Sequence, residues 1–273
     1  MTTDRAGVRT IPVLLYHGIS DEPSAGAARF TLAPGVFEDH MRRLVDAGYR
    51  SLTVSAFVPA LRGEPGGLPE RPVVITFDDG FHNFLSEALP IMERHGLVST
   101  LYATTGFMGE GAVPGANRWG DRMLSWSELV EVARRGVEVG GHSHPHPMLD
   151  TLPHASARAE IARCKDLIEQ RLQAPVASFA YPHGYSSAWV RTTVQQAGYT
   201  SACGVKNALS HLGDDRFAIA RLMLETTHSM DDFRRMLSGE GVPVARPSDR
   251  LKTRGWRLAR RGRALGQRLA ARS

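Results

Sequence analysis

Apolar positions along the 273-residue chain follow two alternating rhythms. Short strand-like runs, mostly apolar, occur at residues 11–17, 72–77, 98–104, 137–139, 176–181, 200–203 and 217–224, with a weaker one at 52–54. Runs of this length, rich in β-branched residues, read as strands covered on both faces. Between them, apolar residues recur at helical spacing. Pro34 opens one such stretch, with Phe37, Met41, Leu44 and Val45 on one face, and Gly48 stops it. Others span residues 84–95, 125–136, 155–172, 187–197 and 229–237, and Ser125-Trp126-Ser127-Glu128 has the form of a capping box. Strands alternating with helices predict a parallel sheet in an α/β fold. At least six units in about 230 residues predict a closed or nearly closed barrel. An open doubly wound sheet is the alternative, and in either architecture active groups gather at the carboxyl ends of the strands.

Composition narrows the class. The chain is 42% hydrophobic and 22% charged, as in soluble globular proteins, with no apolar run long enough to span a membrane and no apolar signal-peptide core in residues 1–10. Cys164 and Cys203 lack metal-ligand spacing, and the expectation is a reducing cytoplasm. The net charge of +5 is unevenly spread. Residues 246–273 hold ten of the 33 basic residues and one of the 28 acidic ones, leaving 23 and 27 for residues 1–245. The main domain is therefore slightly acidic, and nucleic acid is not an expected partner.

Chemistry sits where the strand-end rule places it. Asp78 and Asp79, His17, the group His142, His144 and His146, and His183 each directly follow a strand-like run. Two adjacent carboxylates at a buried strand end repel each other and call for a cation. Strand alternation predicts that Asp78 and Asp79 point in different directions. His142 and His146 are four apart, but Pro145 and Pro147 exclude a helix, so the pair is read as a rigid turn that can grip a metal. Two histidines and one carboxylate leave coordination positions open, which suits a hydrolytic centre and equally a non-haem iron oxygenase. The surplus carboxylate favours hydrolysis.

Thr76-Phe77-Asp78-Asp79-Gly80, followed by His142-Ser143 and His146-Pro147 after Gly140-Gly141, resembles the motif pair of the polysaccharide deacetylase family, the NodB-homology domain. Pro12-Val13-Leu14-Leu15-Tyr16-His17 and Phe179-Ala180-Tyr181-Pro182 resemble the branch acting on poly-N-acetylglucosamine. The resemblance covers residues 11–237. It implies a distorted, TIM-like (β/α) barrel of about seven strands and a divalent ion, zinc as the usual one, with cobalt, nickel and manganese as alternatives. By position it implies Asp78 as general base and Asp79, His142 and His146 as metal ligands. It also implies His17, protonated, as general acid, with His228 as its competitor, and Tyr181 and His183 beside the substrate. Where many members carry an arginine that holds the base, this chain has Ala180. Arg221 is the candidate replacement and is counted with the substrate-binding residues.

The expected activity is metal-dependent hydrolysis of the N-acetyl group of an amino sugar or glycan. The other readings are a metal-containing carbohydrate-binding protein without turnover and an amidase for a small non-sugar amide. Residues 1–245 are expected to form the catalytic domain. Residues 246–273 are expected as a basic tail whose Leu251, Leu258, Leu265 and Leu269 form a helical stripe suited to an anionic membrane surface. Trp119, in the long loop from residue 107 to 124, is a candidate sugar-stacking platform.

Overall fold

The computed structural model describes residues 9–64, 67–109, 120–246 and 260–263. Trp119 and the four leucines of the tail stripe lie outside these residues. The first half of the chain contains β1 (Thr10–Ile11), β2 (Val13–Tyr16), β3 (Gly18–Ile19), β4 (Thr31–Leu32), α1 (Pro34–Asp46), β5 (Arg50–Leu52), α2 (Val54–Leu61), β6 (Pro72–Phe77), α3 (Leu89–Arg94) and β7 (Thr100–Ala103). The second half contains α4 (Trp126–Arg134), β8 (Glu138–Gly141), α5 (His154–Leu172), β9 (Ser178–Ala180), α6 (Ala188–Gln196), β10 (Ser201–Cys203), β11 (Ser210–His211), β12 (Leu222–Met223) and α7 (Met230–Ser238).

The apolar runs pair in parallel in the order β10-β9-β8-β7-β6-β2-β12. β5 pairs with the first half of β6, on the edge that β7 takes further along. The two ends of this order meet through one stretch of chain. Ile219 donates its N–H to Ala202 and accepts from the N–H of Gly204, at 3.0 and 2.9 Å. Three residues later, β12 pairs with Leu14 and Leu15 of β2. Backbone hydrogen bonds therefore join the last strand of the order to the first, and the sheet is a distorted (β/α) barrel rather than an open doubly wound one.

Alternation along each strand divides the core in two. Leu14, Tyr16, Val73, Ile75, Phe77, Leu101, Val139 and Phe179 point outward and pack with the helices. Val13, Val74, Tyr102, Ala180, Cys203 and Ile219 point inward, and Val54, Phe57 and Val58 of α2 pack with them to fill the interior. Because the interior is filled from that side, the carboxyl ends of the strands are left to form a cavity.

Most expected helices are present, and their caps are the ones legible in the sequence. Ser125 and Glu128 form a reciprocal capping box at α4, and Ser229 and Asp232 form another at α7. Three differences have local causes. Pro90 has no N–H to give Ser86, and the turn before it widens into a π-helix over Phe84–Ala88. Val45 lies on the outer side of α1 and is exposed, its place in the buried stripe taken by His40. The run 217–224 keeps only Leu222 and Met223 as strand, because it changes partners between β10 and β2. Cys164 and Cys203 are both free and buried. Among the described residues, no helix is long and apolar enough to cross a membrane.

Candidate active site

β6 delivers the first carboxylate by its own period. Thr76 and Asp78 follow Val74 on the inward face, and Phe77 faces outward into the helices. Asp79 should then turn away, but its φ of +76° is left-handed, and Asp78 and Asp79 line the same cavity. The expectation that alternation separates them is corrected here: the strand ends at Phe77, and the turn re-aims Asp79. Ser143, His146 and His183 also have positive φ, at 65°, 58° and 59°. Four such non-glycine residues around one cavity are a concentration of backbone strain of the kind that accompanies function.

The histidines arrive on the loop after β8. Gly140 is required beneath them, since a Cβ there would lie 2.5 Å from the Tyr102 ring and 2.8 Å from the Ser178 carbonyl. His142 Nδ1 lies 2.8 Å from the Ala180 carbonyl, which can only accept, so Nδ1 carries the proton and Nε2 presents its lone pair. Burial holds this imidazole below its ordinary pKa, hence neutral. Its Nε2 is 3.1 Å from His146 Nε2, and Asp79 Oδ1 is 3.5 and 3.3 Å from those two atoms. Three electron-pair donors converging in a buried site repel one another unless a cation lies among them. The N₂O donor set fits a borderline divalent ion with coordination positions left over.

Asp78 Oδ2 lies 3.8 Å from His142 Nε2, but the carboxylate is held by a different partner. Arg221 Nη1 and Nη2 donate to its two carboxylate oxygens at 2.6 and 2.7 Å. Arg221 also donates from Nη1 to Thr76 Oγ1 at 3.2 Å and from Nε to the Gly204 carbonyl at 3.1 Å. Burial would raise the carboxyl of Asp78, but the guanidinium and the neighbouring histidines outweigh it and hold it below the ordinary range. Arg221 is itself completely buried. It stands behind Asp78 with both ends of its fork engaged, so its placement is beside the carboxylate and not beside a substrate.

His17 lines the same cavity, its ring 5.2 Å from that of Phe30, and its buried Nδ1 has no hydrogen-bond partner among the described residues. Burial lowers its pKa to about 4, against an opposing pull from Asp78. The resting imidazole is thus neutral at pH 7, where a protonated one was expected. His228 is elsewhere, its Nδ1 accepting from the N–H of Glu225 at 3.1 Å. His144 turns aside to Thr105 Oγ1 at 2.9 Å. His183 joins the wall, its ring 4.6 Å from that of His146.

Tyr181 is a correction. Counting inward from Ala180, it faces outward, is fully buried among Phe179 and Tyr199, and donates its hydroxyl to the Phe217 carbonyl at 2.8 Å. The core holds this ring, not the cavity. Phe30, Tyr185 and Met223 line the cavity without having been singled out. Tyr185 had a readable signal, since it closes the turn Pro182-His183-Gly184 at a strand end. The cavity has a volume of about 230 Å³.

Comparison with known proteins agrees with this geometry. The polysaccharide deacetylase family model matches residues 66–202, half of the chain. YxkH of Bacillus subtilis, which carries the same family's name, is 24% identical over 212 residues, covering 78% of this chain and 70% of that protein. The poly-β-1,6-N-acetyl-D-glucosamine N-deacetylase of Escherichia coli is 28% identical over 136 residues, 47% of this chain but only 20% of that enzyme. The fold is shared with the Streptococcus pyogenes deacetylase PplD (TM-score 0.72, 19% identity, 84% of this chain and 99% of that one). It is shared equally with IcaB from Ammonifex degensii (TM-score 0.71, 20% identity, 84% and 96%). The chain belongs to the polysaccharide deacetylase family.

Proposed function

We propose that the protein is a metal-dependent de-N-acetylase, hydrolysing the acetamide of an N-acetylated amino sugar within a glycan and releasing acetate. One observation carries this reading. The cavity holds a ligand trio, Asp79, His142 and His146, beside a second carboxylate, Asp78, that its ion pair with Arg221 keeps ionised. The N-deacetylase among the relatives supports an N-acetylglucosamine polymer as the substrate class.

Asp79, His142 and His146 would hold a divalent ion, which would supply Lewis-acid polarisation of the acetamide carbonyl. Asp78, ionised and aimed into the cavity, takes the proton of the attacking water. The nitrogen needs a proton to depart, because an amide anion is too poor a leaving group. His17, neutral at rest, lines the same cavity as Asp78. In this reading it takes up the proton released from the water and delivers it to the departing nitrogen. Arg221 keeps Asp78 in its orientation through the fork of two hydrogen bonds.

The test is acetate release from β-1,6-linked N-acetylglucosamine oligomers by purified protein loaded with zinc, cobalt, nickel or manganese in turn. Turnover that disappears on chelation and in Asp78→Asn is the expected result. Oligomer binding with no acetate under any metal would establish a glycan-binding protein instead.

A further inference from the structure

Residues 260–263, within the basic C-terminal part of the sequence, pack against the turn that follows the His146 loop. Residues 260–263 form a helical turn. Arg260 Nη2 donates to Asp150 Oδ2 at 2.9 Å, and Arg261 Nε donates to the Asp150 carbonyl at 2.9 Å. The Asp150 side chain is completely covered, and that of Arg260 is 11% exposed. Asp150 lies in the turn just after the loop that carries His146. The Arg260 guanidinium carbon lies 3.6 Å from the centroid of the Tyr185 ring, and its buried Nε and Nη1 have no hydrogen-bond acceptor among the described residues. A guanidinium stacked flat on an aromatic face has this pattern, with the ring taking the place of acceptors. The Tyr185 ring is stacked 6.3 Å from that of His183, which packs 4.6 Å from that of His146. A continuous row thus runs from a candidate metal ligand through two rings to the C-terminal segment.

We propose that residues 260–263 are part of the outer wall of the catalytic cavity, and that Arg260 positions Tyr185 as the face on which a second sugar unit of the glycan stacks. The proposal rests on the de-N-acetylase reading. It extends the catalytic unit beyond residue 245. Tyr185 lines the cavity two ring spacings out from His146, away from the candidate metal ligands. Arg260 covers one face of the ring and the Asp150 pair fixes the guanidinium, so the ring is held before the sugar arrives. Arg260 is a positioning residue.

The experiment uses the full-length, metal-loaded chain with an N-acetylglucosamine tetramer and the monosaccharide as probes. Arg260→Ala and Arg260→Lys are expected to raise KM for the tetramer by about tenfold, with kcat held within about twofold and the monosaccharide unaffected. Tyr185→Ala should raise KM for the tetramer at least as much, and the double variant Arg260→Ala/Tyr185→Ala should be no worse than Tyr185→Ala alone. Lysine keeps a cation on Asp150 without the planar stack, so a lysine variant that restores both KM and the melting temperature would show a purely structural anchor and overturn the proposal. In 3-fluorotyrosine-labelled protein, the Tyr185 resonance should move on Arg260→Ala before any sugar is added. An unmoved resonance overturns the wall whatever the activity. Failure of the wild-type chain to release acetate from the tetramer overturns the functional reading, and with it the sugar that Tyr185 is assigned.

Discussion

Replacing Arg221 with methionine perturbs the site at its most strongly determined contact. The substitution keeps most of the side-chain volume and removes the guanidinium, so a completely buried carboxylate loses two charge-assisted hydrogen bonds of 2.6 and 2.7 Å. Breaking a buried pair from one side costs about 3–5 kcal/mol, because the remaining charge stays desolvated. In a chain of this length that is a fall in melting temperature on the order of 10 °C. The carboxyl escapes part of the cost by protonating. With Arg221 present, its pKa is depressed, so it contributes stability above its unfolded value that is lost as pH falls through the folded one. Without Arg221, burial dominates and the pKa rises. Two assays follow. The acidic limb of acetate release against pH should move to higher pH in Arg221→Met, and Asp78→Asn/Arg221→Met should recover much of the stability that Arg221→Met loses, since no charge is then stranded. An acidic limb that stays in place, together with a stability loss below about 1 kcal/mol, would refute the claim that Arg221 holds the base.

Metal analysis of the purified chain should find one divalent ion per chain, and alanine at Asp79, His142 or His146 should weaken its binding by at least on the order of 100-fold in a chelator competition. The two glycines Gly140 and Gly35 should respond oppositely to alanine. At Gly140 the new methyl meets the Tyr102 ring and the Ser178 carbonyl, with a loss of about 1–3 kcal/mol. At Gly35, in the first turn of α1, it meets nothing within 4 Å and should gain about 0.5–1 kcal/mol, read in both cases by urea denaturation. Burial lowers His40 to about 4, where it stacks on Phe233 and is bonded to the Tyr16 hydroxyl. The unfolded chain therefore binds the proton first, and stability should fall as pH drops from about 6.5 to 4. The His40 share is about 3 kcal/mol, and His40→Phe should flatten the melting temperature over that window by that share.

The site illustrates how far local rules reach. Apolar runs, helical stripes and capping boxes are short-range signals, and they located strands, helices and the parallel barrel. The strand-end rule brought His17, Asp78, Asp79, His142, His146 and His183 to one end of that barrel, where all six line one cavity. The family resemblance puts Tyr181 beside the substrate, but the alternation of β9 sends it outward into the core. Alternation itself failed for the direction of Asp79, which depends on one left-handed dihedral that no period describes.

What the sequence by itself determined is therefore the inventory: which chemical groups stand at the strand ends, and that they suit hydrolysis at a metal. Only the tertiary structure decided how those groups are held. Arg221 reaches Asp78 across 143 positions, and Arg260 reaches Asp150 across 110. Neither pairing has a local signal, because the first depends on the barrel closing through residues 219–223 and the second on where residues 260–263 pack. Ala180 left Asp78 without its expected arginine, and closure supplied one from the residue just before β12, since a buried carboxylate is stable only with a cation beside it.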